Sequence, residues 1–208
     1  MDEVSKVMGR REVRRLMLAG ASAVIVVASV LATNATAGTD RKHPGSSAVR
    51  VELIGVDGAA VGWVMLHQMR DKVVVSGLAQ GLTPGFHGFH IHAVGVCDPA
   101  APTGPFVSAG GHYNPTLLNH GDHAGDMPPL LVTADGHAYT SFATDRFSLD
   151  SLRDVDGSAV MVHAGRDNLA NIPARYTAGG VAGPDSATLG TGDAGSRVAC
   201  GVINPLVH

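Results

Sequence analysis

The sequence predicts an all-β domain built as a closed or sandwiched antiparallel barrel, and three observations support this fold class. Eight short runs rich in β-branched and aromatic residues are separated by turn signals. Glycine is in excess, at 27 of 208 residues, without the period of collagen, which is typical of many tight turns. No long stretch of the chain beyond its apolar N-terminal segment has the period of an amphipathic helix.

The first 37 residues have the three parts of a secretory signal peptide. Four arginines between positions 10 and 15 precede an uncharged stretch, residues 16–39, with an apolar centre, and Ala37 closes a small-x-small cleavage site. We therefore expect cleavage after Ala37, export, and no stable membrane insertion afterwards. The alternative is an uncleaved membrane anchor, since the apolar stretch is near the lower length limit for a span. The Arg10-Arg11 pair leaves general and twin-arginine export both open.

Composition excludes several classes of protein. At 45% hydrophobic and 16% charged residues, the chain is too apolar for a disordered protein and too broken up for a polytopic membrane protein. Removal of residues 1–37 leaves 10 basic and 15 acidic residues, a net charge of −5, so no nucleic-acid partner is expected. Residues 38–47 are polar and contain Gly and Pro, which predicts a flexible lead-in to a single domain.

The predicted strands follow one another with turns between them. Asp135-Gly136 is a strong hairpin signal, and residues 149–154 are the one candidate for a helical turn. Residues 93–129 and 165–196 are longer than ordinary connections and rich in Gly, Pro and Asp, which predicts two functional loops. The eight strands are predicted at 49–54, 61–67, 72–79, 86–92, 130–134, 137–144, 159–164 and 197–203.

The chain has two cysteines, Cys97 and Cys200. An exported chain meets an oxidising compartment, where an even pair indicates one disulfide. The bond would close a loop of about 100 residues, a constraint worth about 4–5 kcal/mol on the chain-entropy account. The alternative is two buried free thiols.

Histidines are the most informative residues, because six of the 11 lie between positions 87 and 123. In a strand, residues i and i+2 face the same side, so His90 and His92 project together. Imidazole is the commonest metal ligand in proteins, and further candidate ligands follow in the first long loop and at the end of a strand. They are His112, His120, His123, Asp126 and His163.

The donor types sort these candidates into two metal sites. Four nitrogens suit copper, and they come from His90, His92, His112 and His163. Three nitrogens and one oxygen suit tetrahedral zinc, and they come from His112, His120, His123 and Asp126. Both sets contain His112. Copper changes its oxidation state and zinc does not, so a redox step would belong to the copper site.

Several motifs resemble those of the copper/zinc superoxide dismutases, and in particular of their exported bacterial members. The resemblance assigns residues 48–204, nearly the whole mature chain, to one dismutase-like domain. The motifs are Gly85-Phe-His-Gly-Phe-His-Ile-His92, Gly110-Gly-His-Tyr-Asn-Pro115, His123-Ala-Gly-Asp-Met-Pro128, Met161-Val-His163 and Gly192-Asp-Ala-Gly-Ser-Arg-Val-Ala-Cys-Gly-Val-Ile203.

This resemblance implies a Greek-key β-barrel and the dismutation of superoxide to oxygen and hydrogen peroxide at a redox-cycling copper site. It implies that His112 bridges copper to zinc and relays a proton, and that Arg197 holds the anionic substrate beside copper. It also implies a Cys97–Cys200 disulfide and a link between the two metal sites through Asp167.

The same resemblance makes His87 a structural residue beneath the copper site. The remaining histidines match nothing in the family and are expected on the surface. They are His67, His137 and His208.

The predicted zinc site departs from the family at one point. His120 and His123 are only three positions apart, where the family normally has a longer loop. Both rings must converge on one ion, so the backbone has to turn sharply at Gly121, or Asp122 has to replace a histidine as an oxygen ligand. We expect zinc to bind, more weakly than copper does, and a copper-only enzyme is the alternative.

Two other functions stay open. The first is an inactive dismutase-like protein that binds copper in the cell envelope; such relatives usually lose a copper ligand or the arginine, and this chain keeps all five. The second is a zinc hydrolase, which would leave the four-histidine set unexplained. Superoxide is the expected small-molecule substrate. The sequence does not decide between a monomer and a homodimer, or between periplasm, cell envelope and secretion.

Overall fold

The computed structural model describes residues 47–206. The predicted signal peptide, residues 1–37, and all but the last residue of the predicted lead-in, residues 38–47, lie outside the described residues, as does His208. Across residues 47–206, no helix is both long and apolar enough to cross a membrane.

The described residues contain eleven strands, and all of their pairings are antiparallel. Nine of them form one sheet in the order β4-β6-β7-β3-β2-β1-β11-β8-β5, and β9 and β10 form a separate hairpin. The strands are β1 (Ala48–Gly55), β2 (Ala60–Met69), β3 (Lys72–Gln80), β4 (Gly85–His87), β5 (Phe89–His92), β6 (Leu130–Val132), β7 (His137–Thr144), β8 (Ser158–His163), β9 (Thr177–Ala178), β10 (Val181–Ala182) and β11 (Arg197–Ile203).

The large sheet is a nearly closed barrel. Its two end strands, β4 and β5, are neighbours in the chain and are separated only by Gly88, so the ends of the sheet meet there. Strand β7 pairs with β3 although three strands lie between them in the chain, which is a Greek-key connection. The predicted all-β antiparallel barrel is therefore confirmed.

One predicted strand is wrong in a way that matters for the metal centre. Residues 86–92 were expected to form a single strand, but the run is broken at Gly88. Strand β4 pairs with β6, and β5 pairs with β8. A Cβ at Gly88 would lie 2.5 Å from the Ala194 Cβ and 3.0 Å from the His90 ring, so only glycine allows the chain to change sheet partners here.

The two long loops contain short elements that the sequence did not predict. A 3₁₀ turn at Val107–Ala109 lies in the first loop. The second loop contains the β9–β10 hairpin and a six-residue helix, α1 (Ser186–Thr191), whose first turn is capped by the Asp185 carboxylate. The helical turn predicted at 149–154 makes two isolated turn hydrogen bonds and forms no helix.

The main hydrophobic core fills the barrel. Its largest buried side chains include Phe89, Leu53, Leu66, Ile91 and Leu149. A second, smaller cluster lies outside the barrel and surrounds the predicted disulfide, which is present between Cys97 and Cys200. The bond fastens the start of the first long loop to β11, so this loop is held against the barrel beside the histidines.

Candidate metal centre

Two barrel strands position three of the candidate copper ligands. On β5, Phe89 and Ile91 enter the main core, so the alternating residues His90 and His92 face outward beneath the long loops. Strand β8 pairs with β5 and ends at His163. The three histidines are no more than 4% exposed.

The first long loop brings His112 to the same place by pairing with the free edge of β5. The Tyr113 N–H donates to the Ile91 carbonyl at 2.8 Å, and the Ile91 N–H donates to the Gly125 carbonyl at 2.9 Å. These bonds place His112 opposite His92 and Asp126 opposite His90. Gly125 is required because a Cβ there would lie 2.3 Å from the Ile91 carbonyl oxygen.

Four imidazoles converge on one point on this side of the barrel. A ring nitrogen from each of His90, His92, His112 and His163 lies within 4.8 Å of the others. The His92 and His163 Nε2 atoms are 3.2 Å apart. Within residues 47–206, His90 Nδ1 and His112 Nε2 are buried without a hydrogen-bond partner. Such orphaned buried nitrogens are what a metal site requires.

The opposite ring nitrogen of three of these histidines is held by an oxygen atom. His92 Nδ1 donates to the Gly110 carbonyl at 2.9 Å, and His163 Nδ1 donates to the Gly195 carbonyl at 3.1 Å. His90 Nε2 contacts Asp167 Oδ2. These contacts select the tautomer in which the nitrogen facing the common point is free to bind a metal.

Burial keeps these rings neutral. Desolvation is the largest cause that lowers the pKa of His90, His92 and His163, and for His163 it brings the pKa to about 3. Neighbouring positive groups also lower the pKa of His92, and among them Arg197 contributes most. Neutral imidazole is the form that binds a metal ion, so the residues present fit copper.

A second cluster lies on the other side of His112. The His112 Nδ1 atom is 2.8 Å from Asp126 Oδ1 and 3.2 Å from His123 Nδ1. Asp126 Oδ1 is also 3.3 Å from His120 Nδ1 and 3.4 Å from His123 Nδ1. Ligand atoms about 2.0–2.1 Å from a tetrahedral zinc ion are about 3.3 Å from one another, so the donor set and spacing fit zinc.

His90 lies close to both clusters. One nitrogen from it also falls within 4.8 Å of donor atoms of His112, His120 and Asp126, so proximity alone would allow it in the second set. Asp122, considered above as a substitute ligand, is not near this point. Its side chain is 77% exposed and faces Arg146 at 3.8 Å.

Two carboxylates organise the second cluster. Asp126 Oδ2 accepts the N–H groups of Gly121 and His123, at 2.8 and 3.1 Å, which leaves Oδ1 facing the histidines. Asp167 accepts from His120 Nε2 at 2.8 Å and contacts His90, so it joins the two clusters.

These contacts set the protonation of the acidic groups and of His120. Burial alone would raise the pKa of both carboxyl groups, but hydrogen bonds from the histidines outweigh it and hold both pKa values well below their usual range. Burial alone would lower the pKa of His120, but hydrogen bonds to Asp126 and Asp167 raise it to about 9.

An open cleft of about 390 Å³ leads to the four-histidine cluster. Arg197 lines it together with His92, His112 and His163, and Asp193 lies on its rim. The Arg197 guanidinium donates to the carbonyls of Phe106 and Gly110, so the loop anchored by the disulfide holds it beside the cluster. Burial lowers the pKa of this guanidinium.

The remaining histidines are outside both clusters. His87 is buried beneath the four imidazoles, with Nδ1 at 2.6 Å from the His163 carbonyl and Nε2 at 2.8 Å from the Thr83 carbonyl. His67 and His137 lie on other strands, β2 and β7. The carbonyls of Gly110 and Gly195, which hold His92 and His163, could not be predicted from the sequence, because a backbone acceptor carries no residue-type signal.

Comparison with known proteins agrees with this geometry. Residues 60–203 match the family described as "Copper/zinc superoxide dismutase (SODC)". A superoxide dismutase [Cu-Zn] of Mycobacterium tuberculosis is 43% identical over 183 residues, covering 83% of this chain and 76% of the relative. An extracellular superoxide dismutase [Cu-Zn] of Brugia pahangi is 32% identical, with 79% and 80% covered. The solved Cu/Zn superoxide dismutase of Brucella abortus superposes with a TM-score of 0.57 at 29% identity, covering 76% of this chain and all of that one.

Proposed function

The chain belongs to the copper/zinc superoxide dismutase family, and from this membership we propose that it converts superoxide to oxygen and hydrogen peroxide at a copper site that His112 joins to a zinc site. The family makes the protein an oxidoreductase that uses copper and zinc. What the proposal adds is the assignment of residues.

The position of His112 is the observation that carries this assignment. Its Nε2 is buried without a protein partner among the four imidazoles, and its Nδ1 lies against Asp126 and His123. One ring therefore presents a nitrogen to each cluster. We assign copper to His90, His92, His112 and His163. We assign zinc to His112, His120, His123 and Asp126, where His123 is included because its Nδ1 lies 3.2 Å from His112 Nδ1 and 3.4 Å from Asp126 Oδ1. When bound, copper supplies one-electron redox chemistry, and zinc holds His112 and neutralises the charge of Asp126.

Arg197 binds and orients the substrate. It is the cationic residue that lines the cleft, and its two hydrogen bonds to loop carbonyls keep the guanidinium fixed when no substrate is bound. A charge held in place in a partly buried cleft attracts an anion more strongly than a mobile surface charge does. The net charge of −5 does not oppose this, because the local field at the cleft governs capture.

His112 also moves a proton. It lines the cleft, so its Nε2 is within reach of a small anion bound beside Arg197. Formation of hydrogen peroxide consumes two protons, and His112 would supply one of them from Nε2, which can carry a proton only while it does not ligate copper. Asp126 and His123 fix the ring from its other side.

Metal analysis combined with a superoxide assay on the purified mature protein tests this function. We expect one copper and one zinc per chain, with dismutation that is lost when copper is removed and restored when copper is added back. Copper bound without activity would instead support the inactive copper-binding protein considered above. Activity with copper alone and no zinc, even after reconstitution, would contradict the bridged site.

We also propose that the protein is exported, with the mature chain beginning near Gly38. The disulfide supports an oxidising compartment, and the Brugia pahangi relative is named as extracellular. N-terminal sequencing of the native protein together with cell fractionation is the test. An intact Met1 region recovered in the membrane would support the anchor instead, and light scattering of the soluble form would distinguish a monomer from a homodimer.

A further inference from the structure

The turn that carries two of the assigned zinc ligands is unusually tight. Only Gly121 and Asp122 separate His120 from His123. Gly121 has a φ of 95°, in the region that favours glycine, and a Cβ there would lie 2.7 Å from the Ala170 Cβ. The turn is therefore sharply bent and pressed against the second long loop.

The N–H groups of this turn are all used by nearby acceptors. His120 donates to the Leu189 carbonyl at 2.7 Å, and Asp122 donates to the Asn119 carbonyl at 3.1 Å. The N–H groups of Gly121 and His123 both donate to Asp126 Oδ2. These bonds come from the two loops themselves, and none of them connects the turn to the barrel.

The carbonyl groups of the turn are held by Arg146. Its Nη1 donates to the Gly121 carbonyl at 2.9 Å and to the His123 carbonyl at 3.0 Å. Across the described residues, no other side chain donates to a carbonyl of this turn. Arg146 follows strand β7 and precedes Phe147, which is 6% exposed and packs in the main core. The guanidinium therefore ties the turn to a segment that the barrel core anchors.

We propose that Arg146 is a positioning residue for zinc: it holds the turn at residues 120–123 in the conformation in which the His120 and His123 rings converge. One guanidinium nitrogen shared by two carbonyls fixes the orientation of two peptide groups of the turn, the one between Gly121 and Asp122 and the one that follows His123. Without it, the Gly121 carbonyl would turn toward water and the His123 carbonyl would keep only its bond from the Asp126 N–H, at 3.1 Å. The two Nδ1 atoms would then lose their common direction. This inference rests on the proposed zinc site.

The test compares zinc affinity in Arg146→Met, Arg146→Lys and the wild type. Methionine keeps an unbranched stem and removes the donors, and lysine restores a donor. Arg50→Met is the matched control, because Arg50 is 49% exposed against 40% for Arg146 and pairs with Glu52 on β1. The readouts are zinc affinity by chelator competition, the visible spectrum of Co²⁺ bound in place of zinc, copper affinity, and the melting temperature of the metal-free protein.

We expect zinc binding to weaken about tenfold to a hundredfold in Arg146→Met, the range typical for groups that orient metal ligands. The Co²⁺ spectrum should change with it, Arg146→Lys should recover part of the loss, and Arg50→Met should match the wild type. Copper affinity and the metal-free melting temperature should not move. If Arg146→Met does not fold, Arg146→Gln serves in its place.

Three results would overturn this role, and they separate it from the proposed function. Equal zinc affinity in Arg146→Met and the wild type would overturn the role of Arg146 alone. A parallel loss of zinc affinity, copper affinity and metal-free stability would show a general contribution to folding. A wild-type protein that binds neither zinc nor Co²⁺ would overturn the proposed zinc site itself, and the role of Arg146 with it.

Discussion

The two halves of the metal centre are built from different parts of the fold. Three of the four imidazoles assigned to copper lie on barrel strands, His90 and His92 on β5 and His163 on β8. All four ligands assigned to zinc lie in one loop, between positions 112 and 126. The copper half inherits its geometry from the sheet register and the core packed beneath it, whereas the zinc half depends on hydrogen bonds within and between loops.

This difference extends to the groups that orient the ligands. On the copper side, backbone carbonyls of Gly110 and Gly195 hold His92 and His163, and a carboxylate, that of Asp167, contacts His90. On the zinc side, charged side chains do this work, since Asp126 and Asp167 contact the histidines and Arg146 holds the turn. A site held by charges should respond to single substitutions and to pH more strongly than a site held by a sheet. The following predictions use that contrast.

The largest effect is expected for His163→Ala. Copper would lose one of four nitrogens, and dismutation should fall by more than about a hundredfold, since even groups that only orient ligands cost up to that much. The barrel should remain folded, because the His163 ring lies on the outer face of β8 and not in the main core. Copper content, activity and circular dichroism are the measurements. His137→Ala, at the start of β7 and outside both clusters, is the control. Normal copper content with normal activity in His163→Ala would refute the ligand assignment.

Asp126→Asn should break the zinc half and spare the copper half. The substituted amide has no charge, and it cannot both accept the Gly121 and His123 N–H groups and bind zinc as a carboxylate does. Zinc affinity should fall by about a hundredfold or more, while copper affinity changes little. Asp135→Asn is the matched control, since Asp135 also accepts a backbone N–H but lies in an exposed turn. A comparable loss of copper affinity would show that the two halves are not separable.

Arg197→Met should lower the dismutation rate by about tenfold to a hundredfold without releasing copper, because it removes the fixed cation at the cleft. Arg197→Lys should do less harm, since it keeps the charge but not the two carbonyl contacts. Rates measured across a range of ionic strength should show a weaker salt dependence in Arg197→Met. Arg153→Met is the control, because Arg153 also donates to a carbonyl, that of Asn204, away from the cleft. Equal dismutation rates in Arg197→Met and the wild type would show that Arg197 is not part of the active site.

The sequence predicted the barrel well because alternating β-branched residues and turn signals are local features. Seven of the eight predicted strands have counterparts whose ends differ by at most two residues, and the strands predicted at 137–144 and 197–203 match at both ends. The break in the strand at Gly88 was not predicted, because it depends on the close approach of Ala194, a residue that is remote in the chain. Helix α1 was not predicted, because its six residues are rich in Ser, Thr and Gly and have low helix propensity. The Asp185 carboxylate stabilises it by accepting the Thr188 N–H.

The candidate site was predictable as a set of residues and not as an arrangement. Histidine spacing and the family motifs pointed to every residue of both clusters, and the structure brings these residues together. The contact of Arg146 with the turn had no sequence signal, because its partners are backbone carbonyls 25 and 23 positions away. The short interval between His120 and His123 predicted a weakened zinc site. The bonds by which Asp126 and Arg146 shape this turn involve backbone groups, so the sequence pattern did not predict them.

The last prediction concerns pH and has the smallest effect. Because the pKa of His120 is raised to about 9 in the metal-free protein, its ring carries a proton at neutral pH that must leave before zinc binds. Zinc affinity should therefore rise by up to about tenfold per pH unit and level off above pH 9. The pKa values of His90, His92 and His163 are lowered, so copper uptake releases no proton from these rings at neutral pH and its affinity should rise less steeply.

The free energy of unfolding of the metal-free protein should fall as the pH rises, whereas zinc affinity should rise. A folded-state pKa of about 9 against about 6.5 in the unfolded chain stabilises the fold fully below pH 6.5, and this contribution is lost as the pH rises through 9. Separate zinc and copper titrations from pH 6 to 10, with thermal melts of the metal-free protein, measure both trends. Asp167→Asn removes one of the two carboxylates that raise this pKa, so its zinc affinity should level off at lower pH. If zinc affinity and copper affinity rose equally steeply with pH, His120 would not be held in its charged form. The contrast between a zinc half held by charged side chains and a copper half held by the sheet would then be wrong.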